Sequence, residues 1–304
     1  MNLLNLKISR RVLIGGGILL IVSILEFVLR CGFGFCDAPL CIPSDEYEYI
    51  YAPSQSRHRF GNQINYNQYS QRSEAPDSTK IIVLGLGDSV INGGIQTDQS
   101  QLATTIASDS TIQILNISAG SWGPDNCAAY IKRFGVFNAK KILLVASSHD
   151  AHDIMDFVPV VGVHKSYPDK QYQLALVELF DRYVIPRLLK QSKQSDPDEK
   201  INEGVGIEKG SGQFNPGFGE LKRIADRCNI GYEIYLHPDK AEMHKKEYNL
   251  QGKEIIKWAN ENGVRITLGL DYGESENTYR DGIHLNSDGQ RILAKWLYEA
   301  SHRL

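Results

Sequence analysis

The chain has 304 residues, with 33 Lys and Arg against 36 Asp and Glu and a formal net charge of −3. A near-neutral balance without a basic excess argues against a nucleic-acid partner, and 42% hydrophobic with 9% aromatic residues excludes disorder throughout. The apolar residues are unevenly spread, and the first thirty positions differ in kind from the rest.

Lys7, Arg10 and Arg11 precede an apolar run from Val12 to Leu29 whose only charge is Glu26. As a helix this run spans about 27 Å, close to the hydrocarbon thickness of a bilayer. Glu26 falls near the far interface, where its carboxylate can reach water. Only Arg30 follows the run before Arg57, so the positive-inside rule predicts a cytoplasmic N-terminus over 1–11 and a single span over 12–30 of the cytoplasmic membrane. The remainder is then extracytoplasmic. A cleaved signal peptide is the competing reading, but no A-x-A-like site follows the run, and Arg30 stands where a lipobox would carry a small residue before Cys31.

The odd cysteine count (Cys31, Cys36, Cys41, Cys127, Cys228) leaves at least one thiol unpaired. Cys36 and Cys41 could close a small loop in an oxidising compartment, although unpaired small hydrophobes are the favoured reading. Their spacing, with no neighbouring His, fits no zinc pattern.

Residues 31–79 are polar and rich in Tyr, Asn, Gln and Ser, and predict an irregular lead-in or short edge strands. From Lys80 the pattern changes. KIIVLGLG, TIQILNIS, KKILLVASS, GYEIYLHP and VRITLGL are short β-branched runs bounded by Gly, Asn, Asp or Pro. Segments of helical length lie between most of them: 99–109, 124–138, 217–228, 245–262 and a last helix over 287–302. Alternating strands and helices predict a parallel sheet covered on both faces, a three-layer α/β/α sandwich over 80–304. An insertion at about 155–215 interrupts it. Residues 171–194 read as an amphipathic helix kinked at Pro186, and QSDPDEKINEGVGIEKGSGQ reads as a surface loop.

Ligands of doubly wound sheets bind beyond the carboxyl ends of the strands. The first strand runs into Gly87-Asp88-Ser89-Val90, where a Ser at a strand-to-helix turn exposes its hydroxyl for nucleophilic attack and its N–H for oxyanion binding. The second ends at Gly120, where the missing side chain lets a backbone N–H approach a substrate oxygen. The third ends in Ser147-Ser148-His149-Asp150, with His149 as a side-chain donor toward the same crevice. Just before the last helix, Asp281 stands three residues ahead of His284, a spacing that lets a carboxylate fix the imidazole tautomer and leave the other nitrogen as a general base. Asp88 and Asp150 read as turn-bonding residues. His152 and Asp153 extend a metal-like HDAHD string, but no metal and no cofactor is expected. His237 and Trp122 are candidate substrate contacts, with a hydrogen-bonded strand-end His and simple packing as the commoner readings.

The order Ser, Gly, His-Asp, Asp-x-x-His resembles the SGNH/GDSL hydrolase family over roughly 78–302. Gly87 to Val90 look like its first block, Gly120 its second, Ser147 to Asp150 its third and Asp281 to His284 its fifth. The resemblance implies a flavodoxin-like fold and acyl transfer: Ser89 attacks an ester carbonyl, His284 takes its proton, Asp281 orients His284, and the N–H groups of Ser89 and Gly120 with His149 hold the oxyanion. The third block departs from the family pattern, because Ser147 replaces a Gly and His149 the Asn that donates into the oxyanion hole. The expected function is a membrane-anchored extracytoplasmic serine esterase removing acyl groups, acetyl foremost, from carbohydrate or another small ester. The alternatives are an O-acyltransferase modifying an exported polysaccharide and a non-catalytic glycan-binding module that keeps the fold.

Overall fold

Burial on both faces dictates where the five apolar runs go. In a computed structural model, which describes residues 10–192, 209, 210 and 212–303, they form one five-stranded parallel sheet. Its strands are β5 (Ile81–Gly87), β6 (Ile112–Ser118), β7 (Lys141–Ser147), β8 (Gly231–His237) and β9 (Arg265–Leu268), in the spatial order β6-β5-β7-β8-β9. Successive side chains alternate between two cores, as the two-residue strand period requires. Leu84, Leu86, Ile142 and Leu144 face one core, and Val83, Leu143 and Val145 face the other.

Helices α4 (Pro124–Phe134), α7 (Gly217–Cys228) and α9 (Leu250–Glu261) cover the first face, presenting Tyr130, Phe218 and Ile255. The second face is covered by the short α2 (Ser89–Asn92) and α3 (Ala103–Ala107) and by α10 (Ser287–His302), which contributes Leu293, Trp296 and Leu297. The chain leaves β5 toward β6 on one side and then returns to place β7 on the other. That reversal makes the carboxyl ends of β5 and β7 the topological switch point of the sheet, the position where doubly wound sheets bind ligands.

Four short strands precede the sheet: β1 (Cys41–Ser44) pairs with β2 (Glu48–Tyr51), and β3 (Gln55–Arg59) with β4 (Asn62–Tyr66), both antiparallel. These hairpins form sheets of their own and lie at neither edge of the parallel sheet. Tyr47, Tyr49 and Ile50 join the first core, so the polar lead-in packs as part of the α/β body. All five cysteines are free thiols, and burial pushes the Cys41 thiol up to about 12.

Helix α1 (Arg10–Phe33) buries no residue and is the one helix, among those described, long and apolar enough to cross a membrane. Within the insertion, α5 (Ala175–Leu179) runs through a π-turn over Phe180–Val184 into α6 (Ile185–Ser192). The π-turn has a local cause. Pro186 has no N–H to give the carbonyl four residues back, and the Ile185 N–H reaches five residues back to Phe180 instead. The expected surface loop after α6 falls largely at 193–208, outside the described residues. The helix expected over 245–262 is α9, which starts only at Leu250: a separate α8 (Lys240–Lys245) precedes it and ends where Lys246 is left-handed (φ 54°), and Asn249 caps α9 by accepting from the Gly252 N–H.

Candidate active site

The end of β5 sets the turn that carries Ser89. Gly87 sits at φ 151°, and a Cβ there would lie 2.4 Å from the Val145 carbonyl oxygen, so the strand can turn this close to β7 only with glycine. Asp88, 2% exposed, caps α2 by accepting from the Val90 N–H at 2.8 Å. Ser89 is then the first residue of α2, with its side chain leaving the sheet.

His284 reaches the same point from the far end of the sequence. Asp281 Oδ1 accepts the backbone N–H groups of Ile283 (3.0 Å) and His284 (2.8 Å), which curls the segment into a tight turn. The carboxylate also accepts from His284 Nδ1, at 2.9 Å to Oδ2. With the ring proton on Nδ1, Nε2 is an acceptor, and the Ser89 hydroxyl donates to it at 2.9 Å. Burial opposes ionisation of Asp281, but the His284 ring and the two backbone donors outweigh it and hold the carboxyl down at about 2. A depressed carboxylate stabilises the fold above its ordinary pKa and loses that contribution as pH falls through the depressed value. From 3.8 to about 2 this amounts to about 2 kcal/mol. Asp281→Asn is therefore expected to be less stable in urea by about that amount at pH 7, with the difference closing between about pH 4 and pH 2. A difference independent of pH would contradict this.

Two supports behind His284 hold its loop. His237 is wholly buried, donating from Nε2 to the Ile283 carbonyl (2.7 Å) and from Nδ1 to Glu274 (3.1 Å). Both ring nitrogens face acceptors, an arrangement that favours the protonated ring. Burial alone would lower its pKa, but Glu274 and the Ile283 carbonyl raise it. The Glu274 carboxylate also accepts from the hydroxyls of Tyr235 (2.6 Å) and Tyr279 (2.5 Å). His237 thus lies behind the loop of His284, out of reach of the crevice surface. Arg72, also fully buried, donates to the carbonyls of Asn92, Gly94 and Thr97, and Arg280 donates to that of Gly93 at 3.2 Å. These two arginines fix the loop that follows Ser89. Neither was visible as a site residue, since a single Arg in a polar stretch carries no pattern.

Gly120 follows β6, and a Cβ on it would approach the Tyr167 hydroxyl to 3.2 Å. Its carbonyl accepts from the Tyr49 hydroxyl at 2.8 Å, and Tyr167 donates to Ser121 Oγ at 3.1 Å, so two tyrosines from outside the sheet brace this turn. Trp122, 1% exposed, donates from Nε1 to the Tyr49 carbonyl at 2.8 Å and packs in the core, away from any ligand.

His149 lies at the end of β7 with its side chain 44% exposed, and its Nε2 is 3.7 Å from both Asp88 Oδ2 and Asp150 Oδ1. Asp150 spends Oδ2 on the Ser147 N–H at 2.7 Å, whereas its buried Oδ1 has no hydrogen-bond partner. Burial, and after it the nearby Asp88 carboxylate, push the Asp150 carboxyl well above the usual range. Asp88, His149 and Asp150 bring one ligand atom each within 4.8 Å of one another, and are the residues that could hold a cation here. His152 lies apart from them and pairs with Glu254 at 2.6 Å.

No family model and no curated protein sequence matches this chain. Solved structures show a loose likeness. An acetyl xylan esterase is 14% identical, with 72% of this chain and 99% of that chain covered at a TM-score of 0.41. A candidate lipolytic protein of the G-D-S-L family from Desulfitobacterium hafniense is 11% identical, covering 74% of this chain and 100% of that chain at 0.40. A psychrotrophic esterase from Pseudoalteromonas sp. is also 11% identical, covering 73% and 97% at 0.38. Likeness of this degree assigns no residue and no substrate to the present chain.

Proposed function

We propose that this chain is a serine-dependent carboxylic ester hydrolase of the SGNH/GDSL kind, with Ser89 as nucleophile, His284 as general base and Asp281 as the residue that orients it. The observation that carries the reading is the unbroken hydrogen-bond chain from Ser89 Oγ through His284 to Asp281, closed between residues 195 positions apart. Ser89 adds to the ester carbonyl as its proton passes to His284 Nε2. The resulting imidazolium is stabilised by the Asp281 carboxylate and returns the proton to the departing alcohol. Water, activated by the same imidazole, then releases the acid from the acyl-serine. The N–H groups of Ser89 and Gly120 and the His149 ring are assigned to the oxyanion, in a site where preorganised donors supply much of the rate.

The acyl group is small, acetyl foremost, and the acceptor side is carbohydrate or another small ester. The assembly comprises an anchor over 12–30, a lead-in over 31–79 and an α/β domain of flavodoxin-like topology over 80–304, which sits outside the cytoplasmic membrane with the N-terminus inside. No cofactor takes part. The test is labelling of the full chain by a fluorophosphonate. The wild type is expected to label and Ser89→Ala is not; equal labelling of the two, or none of either, overturns the reading. Product analysis with and without an added sugar acceptor separates hydrolysis from O-acyl transfer.

A further inference from the structure

The helical segment from Ala175 to Ser192 has two unlike faces. On one, Ala175 and Glu178 are buried against the body of the protein. On the other, Leu174, Val177, Phe180, Ile185 and Leu188 are between 46% and 61% exposed. Across the π-turn the Ile185 N–H reaches back to the Phe180 carbonyl, so Ile185 lies about one turn beyond Phe180 on the same side of the segment. A row of five large apolar side chains facing solvent calls for a covering surface.

The level at which the segment begins identifies that surface. Leu174, the residue before α5, offers no side-chain cap, and the free N–H groups of Ala175 and Leu176 instead donate to the Glu26 carboxylate of α1, at 2.7 and 3.0 Å. Arg30 of α1 adds contacts to Glu26 and to the Gln173 carbonyl. The start of α5 is thereby fixed to α1 about 4.5 Å before Leu29, the end of the apolar run, which is the depth of a headgroup boundary if α1 spans. Spanning by the second segment is excluded by Asp181, Arg182 and Arg187 within it, and by its inner face, where Glu178 binds the buried Arg59. An apolar stripe on a helix that starts at the interface and cannot cross it matches the pattern of helices that lie in the boundary between headgroups and acyl chains.

We infer that Leu174, Val177, Phe180, Ile185 and Leu188 form a second membrane contact, seated in the outer lipid boundary beside α1. The inference rests on the reading of α1 as a membrane span. With two attachments the α/β body is fixed in its tilt toward the bilayer, where α1 alone would leave it free to swivel.

Full-length chains carrying Phe180→Trp, Leu20→Trp or Leu250→Trp, reconstituted in phosphatidylcholine vesicles, test it by quenching with brominated phosphatidylcholine after subtraction of the wild-type emission. Leu250 is exposed on the remote α9 and serves as the solvent reference. Phe180→Trp is expected to emit further to the blue than Leu250→Trp and to be quenched best by bromine near the headgroup, with Leu20→Trp quenched best by bromine deep in the chains. Quenching of Leu20→Trp but not of Phe180→Trp overturns the inference and leaves the anchor standing. Failure of both removes the anchor, and the inference with it. Blue emission from Phe180→Trp without bromine quenching assigns the stripe to a second copy of the chain and also overturns the inference.

Discussion

Ser89→Ala is expected to lower kcat/KM toward p-nitrophenyl acetate by about 10⁴- to 10⁶-fold, leaving only the residual rate that an oxyanion site supplies without a nucleophile. On the proposed mechanism the loss is large because Ser89 Oγ and His284 Nε2, in hydrogen-bond contact at 2.9 Å, act as one unit: removing the hydroxyl leaves the base with nothing to deprotonate. His284→Ala should therefore cost a similar factor, and the double variant Ser89→Ala/His284→Ala little more than either alone. Additive losses would mean that the two residues serve separate steps. Since the substitution removes one oxygen from a helix start already capped by Asp88, the folded state should be unaffected, and unchanged thermal unfolding would show that chemistry alone was lost.

The largest expected effect on stability lies elsewhere. Glu178 accepts from Arg59 Nη2 at 2.5 Å and from the Cys36 N–H at 2.6 Å, and both charged side chains are essentially inaccessible to water. The guanidinium also faces the ring of Phe60 at 4.8 Å and donates to the Gly34 carbonyl at 3.0 Å. Glu178→Ala leaves a buried cation with no carboxylate, which costs about 3–5 kcal/mol, or roughly 10 °C in Tm for a domain of this size. Glu178→Leu paired with Arg59→Met should recover much of that loss, because the penalty comes from the orphaned charge more than from a missing attraction. A Tm shift of only 1 or 2 °C in the single variant would show that water reaches Arg59.

The contrast between these two sites explains what could be read in advance. Each parallel strand is covered on both faces, so β5 to β8 read as unbroken apolar runs, and Gly87, Ser89, Asp281 and His284 stand at strand or helix ends with recognisable local chemistry. The starts of α8 and α9 carry local signals in the sequence: Asp239 and Glu242 form a capping box, and Asn249 is a second cap. Other features had no local signal. Tyr47, Tyr49, Arg59 and Arg72 lie in a polar stretch whose hairpins are specified by what they pack against, Trp122 and Tyr130 among them, and such partners are distant in sequence. His237 ends β8 as its sequence pattern predicts, but its inward orientation depends on Glu274, in a loop well downstream.

The distance along the chain between Ser89 and His284 has a consequence in time. At roughly 5–20 residues per second, the residues between them take about 10–40 s to synthesise. Through that interval Ser89 is an ordinary alcohol. It gains its hydrogen bond to His284 only once α10, which starts with the Asn286 cap two residues after His284, has docked on the sheet. Under the proposed function a nascent or C-terminally clipped chain is therefore chemically silent, and a fluorophosphonate added during synthesis would report the moment at which the last helix settles.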